Sequence, residues 1–405
     1  MKYKHEYIYT ILAFIYIFSF NFQNLQFFPE IGSISMIGEY YLLPLSFLIC
    51  IFNFRKIGKT KISKIYKYYI LYFIILNVLI NIYFYFFYSK MQIYETNVLI
   101  KSIQLLFHFI FQLISLEALF FILKHLNLLK LKIVMNLNYL FLFFYFIYEK
   151  YILKEIGRIK LLTSEPSDAG FLISIIFFMV LFLNKNNIIK IFIFLSYVEM
   201  MYFIGSKGAV ITFVVSFGIW GIVIFKKNKI SIIISSISMM LIFKFLYYEQ
   251  LLNSFVIDIK KFTSLVTRSW SIVSAIGSFL VFPFGSGGAY LVSYSFIGKK
   301  INDIYIDLFP DLNYSEINYM LTTGINLTPK SGFFFGILIS GIGYIGMQIL
   351  IFKFFYKKIK YNSLLSLLII NYFISNLIYK SDISSPIQIL VYSFLLLLID
   401  VKIVK

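Results

Sequence analysis

Several short polar stretches interrupt this otherwise apolar chain, and their residue types point to the binding of an anion. From Arg158 to Asp168, two cations (Arg158, Lys160) and two carboxylates (Glu165, Asp168) fall within eleven residues. A second stretch, Gly205-Ser206-Lys207-Gly208-Ala209, puts a cation in a tight turn, where the free amides of the next helix could help it meet an anion. A third is Thr267-Arg268-Ser269-Trp270, and Pro283-Phe284-Gly285-Ser286-Gly287-Gly288 follows it. Arginine offers a planar fork of donors that matches diphosphate oxygens. The glycines around Gly285 and Gly287 permit close approach of backbone to a ligand, or simply a flexible turn. Each stretch also has a plainer reading: Ser167 or Asp168 as a helix N-cap, and Lys207 as an end-of-helix lysine that snorkels, with Glu199 as its partner. Taken together, Arg158, Lys207 and Arg268 offer three cations on one side of the molecule, a grip for a lipid-linked diphosphate.

What must position these residues is a membrane bundle. Hydrophobic residues make up 60% of the 405, charged residues only 14%, and mean hydropathy is +0.86. A soluble core of this length has no room for so much apolar surface, so lipid is the main solvent. The expected fold is all-α and polytopic, with about twelve spans. They fall near 7–22, 40–53, 68–88, 98–123, 133–148, 169–183, 188–204, 208–225, 230–247, 332–352, 364–378 and 387–399.

The net charge of +19 invites a nucleic-acid reading until the charges are located. Lys and Arg cluster between apolar runs, as in Arg55-Lys56, Lys226-Lys227 and Lys357-Lys358, which marks these loops as cytoplasmic and puts both termini inside. No nucleic-acid partner is expected. One domain, 1–405, is expected, with a large outer loop at 248–331 inserted between spans nine and ten. Within that loop the apolar stretch Trp270 to Pro283 is too short for a comfortable crossing and reads as a short re-entrant or interfacial helix. Cys50 lies inside an apolar run, which leaves no disulfide framework.

The fourth span carries Lys101, Gln104, His108, Gln112 and Ser115 on one helical face, expected to look into the bundle or a wet cavity. Interhelical hydrogen bonding and a substrate path both fit this stripe. Glu117 falls on the other face.

The order of motifs resembles the O-antigen polymerase (Wzy) and O-antigen ligase families of bacterial envelope polysaccharide assembly. The resemblance rests on Arg158 with Ser164-Glu165-Pro166-Ser167, Ser206-Lys207-Gly208-Ala209, Thr267-Arg268-Ser269-Trp270 and Pro283-Phe284-Gly285-Ser286-Gly287, closed by a Gly-rich span at Ser340-Gly341-Ile342-Gly343. It implies a GT-C-like fold in the bacterial inner membrane, a large periplasmic loop, and metal-independent glycosyl transfer without a cofactor. The implied substrates are undecaprenyl-diphosphate-linked glycans, and a chain-length regulator is the implied partner. Arg158 and Arg268 would then bind the donor diphosphate, as would Lys207, which stands where relatives often carry arginine. Glu165, or failing it Asp168, would orient or deprotonate the acceptor hydroxyl. Trp270, Gly285, Gly287 and Lys330 would belong to the glycan-facing loop. The ligase branch uses a histidine just before the next span, whereas here that stretch is Leu327-Thr328-Pro329-Lys330-Ser331-Gly332, which favours a polymerase. Ligase and lipid-linked oligosaccharide flippase are the alternatives.

Overall fold

The computed structural model describes residues 2–22, 37–53, 57–88, 92–94, 96–154, 157–163, 165–224, 264–359, 362–378 and 386–400. The described residues form fourteen α-helices and one two-residue-per-strand ribbon, Gln92–Ile93 with Thr96–Asn97, between the third and fourth helices. In order the helices are α1 (Lys2–Ser19), α2 (Ile37–Phe52), α3 (Lys61–Tyr88), α4 (Val98–Lys124), α5 (Leu128–Ile147), α6 (Pro166–Leu183), α7 (Asn187–Ile204) and α8 (Lys207–Ile224). There follow α9 (Ser264–Val281), α10 (Tyr290–Leu308), α11 (Ser315–Thr323), α12 (Gly332–Ile359), α13 (Ser363–Ile378) and α14 (Pro386–Asp400).

Six helical stretches are long and apolar enough to cross a membrane, and six shorter apolar helices join them. The result is the nearly all-helical bundle of a membrane protein, with backbone groups satisfied within each helix as lipid demands. The apolar run expected at 230–247 lies outside the described residues, as do Glu155 and Ser164. The other expected runs coincide with helices.

Packing has a clear centre. α6 is buried along most of its length, from Ala169 to Val180, and packs on α5, α7, α8 and α13. α4 sits against α1, α2, α3 and α14. Lipid-facing positions elsewhere remain apolar and exposed, as at Leu71, Ile75, Leu79 and Phe86 of α3.

The segment after 263 differs from the single short helix expected there. α9 and α10 form a helical hairpin, closed by a turn that includes the 3₁₀ residues Gly287–Ala289, and α11 follows. The hairpin packs along the first half of α12, and its tip is seated inside the bundle. Ser286 N–H donates to Leu338 O at 3.0 Å, and Ile342 N–H donates to Pro283 O at 2.9 Å. From α3, Tyr72 Oη donates to Phe284 O at 2.6 Å, and Asn77 Oδ1 accepts from Gly288 N–H at 2.9 Å. At about 1.5 Å per residue, Gly341 lies about 13 Å along α12 from its first residue.

Glycine is required on both sides of that contact. Gly341 adopts φ 52° and ψ −133° and breaks the regular course of α12. Gly285 has φ 93°, and a methyl there would stand 2.6 Å from Ser340 Cα. Two backbones meet at a distance that no side chain allows.

Candidate functional site

The first group of polar residues gathers where α5, α6, α7 and α8 end or begin. Past Ile147 the chain widens into a π-helical turn, Tyr148–Ile152, which carries Glu149 inward to 5% exposure. Glu149 Oε2 accepts the Leu161 N–H at 3.0 Å, and Leu161 is held at φ 52°, a strained value for a branched apolar residue. Ile159, Leu161 and Leu162 are buried, so this connection is folded back onto the bundle rather than trailing in water.

Arg158 lies on the outer side of that connection, exposed, with its stem against the α7–α8 turn. Gly205 closes α7 in the left-handed conformation at φ 59°. A Cβ added there would sit 3.4 Å from Arg158 Cγ. That is ordinary van der Waals contact, so glycine is favoured here for its left-handed φ and not for space.

Ser206 then caps α8: its Oγ accepts from Ala209 N–H at 3.3 Å and its carbonyl from Val210 N–H at 3.1 Å. Lys207 is thus the first residue of α8. A cation there opposes the helix dipole, an arrangement that an anion brought to the same amides would relieve.

Glu165 and Asp168 stand at the start of α6, where neither Ser167 nor Asp168 is the N-cap expected from sequence. The N-cap residue is Glu165, through its backbone, because Pro166 occupies the first helical position where its fixed φ and missing N–H are tolerated. Glu165 O accepts from Asp168 N–H at 3.0 Å. Ser167 Oγ donates to Glu165 Oε2 at 3.1 Å, and Asp168 sits in the first turn, where its charge favours the dipole. One turn on, Gly170 packs so tightly on α8 that a methyl would meet Ala209 Cβ at 2.7 Å. That contact locks the starts of α6 and α8 together.

The second group belongs to the hairpin and the residues before α12. Thr267, in the first turn of α9, donates its hydroxyl to Glu316 Oε2 at 2.8 Å, and the Lys330 ammonium lies 3.5 Å from Glu316 Oε1. Lys330 N–H also reaches Ser271 Oγ at 3.3 Å. Arg268 follows Thr267 in the same helical turn and is half-buried. Trp270, expected to face glycan, is fully buried instead. Its Nε1–H donates to Gly298 O at 3.0 Å and its ring fills the space left by that glycine. Gly285 and Gly287 likewise serve the seating of the hairpin tip. Gly287 closes on Asn77 and Ile80 of α3.

Helix α13 connects the two groups. Ser331 Oγ donates to Asn376 O and Leu377 O at 2.7 and 2.9 Å, which ties the start of α12 to the end of α13. α8 runs antiparallel to α13, since Trp220 Nε1–H meets Ser363 O at 2.8 Å and Asn371 meets Ser216 at 3.4 Å. The Lys207 end of α8 therefore lies at the Leu377 end of α13. Arg158, Lys207 and the Thr267–Lys330 group share one end of the bundle.

The stripe on α4 is only partly inward. Gln112 and Ser115 are buried, with Ser115 3.3 Å from Ser46, whereas Lys101 and His108 are half-buried and Gln104 is exposed. Glu117 accepts from Gly58 N–H at 2.8 Å and Thr60 Oγ1 at 3.2 Å, a structural tie at the far end of α4. Glu199 accepts from Tyr151 Oη at 3.1 Å.

Sequence reading overlooked Glu149 and Glu316. Ile317, Met320 and Leu321, spaced as on one helical face, are the signal that α11 exists and that Glu316 opens it.

Comparison with models of protein families, with curated proteins and with solved structures gave no match.

Proposed function

We propose that this chain is a polysaccharide repeat-unit polymerase of the bacterial inner membrane, acting on undecaprenyl-diphosphate-linked oligosaccharides at the periplasmic face. In this reading both termini are cytoplasmic, about twelve spans make a GT-C-like scaffold, and the cation-bearing end of the bundle faces the periplasm. The observation that carries it is the shared position of Arg158, Lys207 and the Arg268–Lys330 group at one end of α13.

The reaction needs what such an end supplies. A sugar hydroxyl of one lipid-linked unit attacks the anomeric carbon of the growing chain, and the bond to the carrier diphosphate breaks with its electron pair on phosphate oxygen. Charge grows on that leaving group, so fixed Arg and Lys donors stabilise the transition state more than the ground state. The hydroxyl proton passes to a carboxylate at the start of α6, Glu165 first and Asp168 second. No cofactor or metal enters this scheme. A chain-length regulator is the partner we expect beside it.

Deletion of the gene with complementation in the source organism tests the reading. Loss of a polymerase leaves lipid A core carrying one repeat unit. Loss of a ligase leaves none attached, and loss of a flippase strands units on the inner leaflet. Arg158→Ala and Arg268→Ala, each confirmed to insert, are expected to lose long chains, since one such donor is worth about 10²–10³ in rate. Normal chain lengths from both variants would sink the diphosphate grip.

A further inference from the structure

Glu316 holds an unusual place for a carboxylate in a group read as an anion site. Its two oxygens face donors from two other parts of the chain: Thr267 Oγ1 at 2.8 Å from the start of α9, and Lys330 Nζ at 3.5 Å from the residues before α12. Arg268 is the next residue of α9, half-buried, about 100° around the helix from Thr267. Thr267 itself is 1% exposed, while Glu316 and Lys330 keep 34% and 27% of their side-chain surface in contact with the surroundings. The carboxylate thus covers a buried hydroxyl while remaining reachable from outside.

An ammonium, a hydroxyl and a guanidinium are donors of the kind that bind phosphate oxygens. A carboxylate offers the same acceptor chemistry as a phosphate with less charge. We propose that Glu316 is a built-in occupant of an anion site formed by Thr267 and Lys330, with Arg268 beside it on α9, and that a diphosphate displaces it on binding. The proposal rests on Arg268 being a diphosphate donor, as in the reading above, but requires no polymerisation. Its consequence is a binding site that stays ordered when empty and releases a carboxylate when filled.

The sign of one substitution separates this from a plain structural tie. Glu316→Gln keeps the shape and removes the competing charge, so it should tighten diphosphate binding. Lys330→Ala should weaken binding, and in that background Glu316→Gln should give no gain, because the contested donor is gone. The full-length chain in detergent is titrated by calorimetry with inorganic diphosphate and, separately, with farnesyl diphosphate as the lipid-borne source. We expect Glu316→Gln to bind at least one probe about fivefold more tightly than wild type, the ratio for about 1 kcal/mol at a partly exposed pair.

A gain abolished by Lys330→Ala supports the proposal, for either probe. Unchanged or weaker binding in Glu316→Gln overturns it, and so does an equal gain in the Lys330→Ala background, which would report only the general field. If Glu316→Gln fails to fold, Lys330→Ala alone decides, because unchanged binding there removes the site. A chain that shows the coupling yet builds no polymer keeps the anion site and loses the polymerase.

Discussion

Replacing Gly341 by alanine probes the joint on which the hairpin rests. At φ 52° and ψ −133° an L-residue is strained, at a cost of roughly 1–3 kcal/mol. The added methyl would also stand 2.5 Å from Gly285 N and closer still to Pro283 O. Both are backbone atoms, so neither can move aside as a flexible side chain would. Overpacking of that kind costs about 1–3 kcal/mol, which brings the total to roughly 2–6 kcal/mol. The hydrogen bonds from Ile342 N–H to Pro283 O and from Tyr72 Oη to Phe284 O are the contacts most directly at risk. Gly346, five residues further along α12, is the matched control, because a Cβ there meets nothing within 4 Å. Gly346→Ala should match wild type or gain up to about 1 kcal/mol from helix propensity. The assay is thermal unfolding in detergent followed by tryptophan fluorescence, since buried Trp270 reports on the hairpin. Gly341→Ala and Gly346→Ala melting at the same temperature would refute the seated-hairpin account.

Three further substitutions test other joints. Gly170→Ala should destabilise by about 1–3 kcal/mol through its clash with Ala209, and gel profiles of the polysaccharide should shorten even with Arg158 intact. Glu117→Ala should lower the melting temperature by leaving the Gly58 and Thr60 donors without their acceptor, at about 1–3 kcal/mol. Chain length should hold in that variant, because Glu117 lies at the opposite end of α4 from the hairpin tip. Trp270→Phe should cost about 2–4 kcal/mol, because it leaves Gly298 O without its donor and opens the space beside Gly298 that the indole ring fills, read by chemical or thermal unfolding in detergent.

Much of the helical framework was legible because each apolar run is long enough to declare itself without tertiary knowledge. Tyr68 to Tyr88 and Val98 to Leu123 are of this kind: the second is a helix at nearly the expected bounds, and the first ends at Tyr88 as expected but begins at Lys61, within the basic stretch before the apolar run. The α9–α10 hairpin was only half legible. The apolar stretch from Trp270 is interrupted by Ser271, Ser274 and Ser278, all now buried, so its length alone did not separate an interfacial from a seated helix. Ser-Gly-Ile-Gly in α12 carried no local sign that Gly341 would meet Pro283, because that meeting is made by chain more than fifty residues away. The same holds for the Thr267–Glu316–Lys330 tie, which depends on three elements folding together. At α6 the error was local: Ser167 and Asp168 are good caps by type, but with Pro166 at the first helical position the helix starts two residues earlier than a Ser167 cap allows and three earlier than an Asp168 cap allows.

The most direct test of the central claim is reconstitution. The full-length chain in liposomes is given undecaprenyl-diphosphate-linked repeat units, and products are resolved by size while released undecaprenyl diphosphate is counted. The account predicts a ladder of chain lengths, with one carrier diphosphate released for each bond formed, and loss of both signals in Arg158→Ala and Arg268→Ala. Repeat units that stay single, or that only change leaflet, would contradict it.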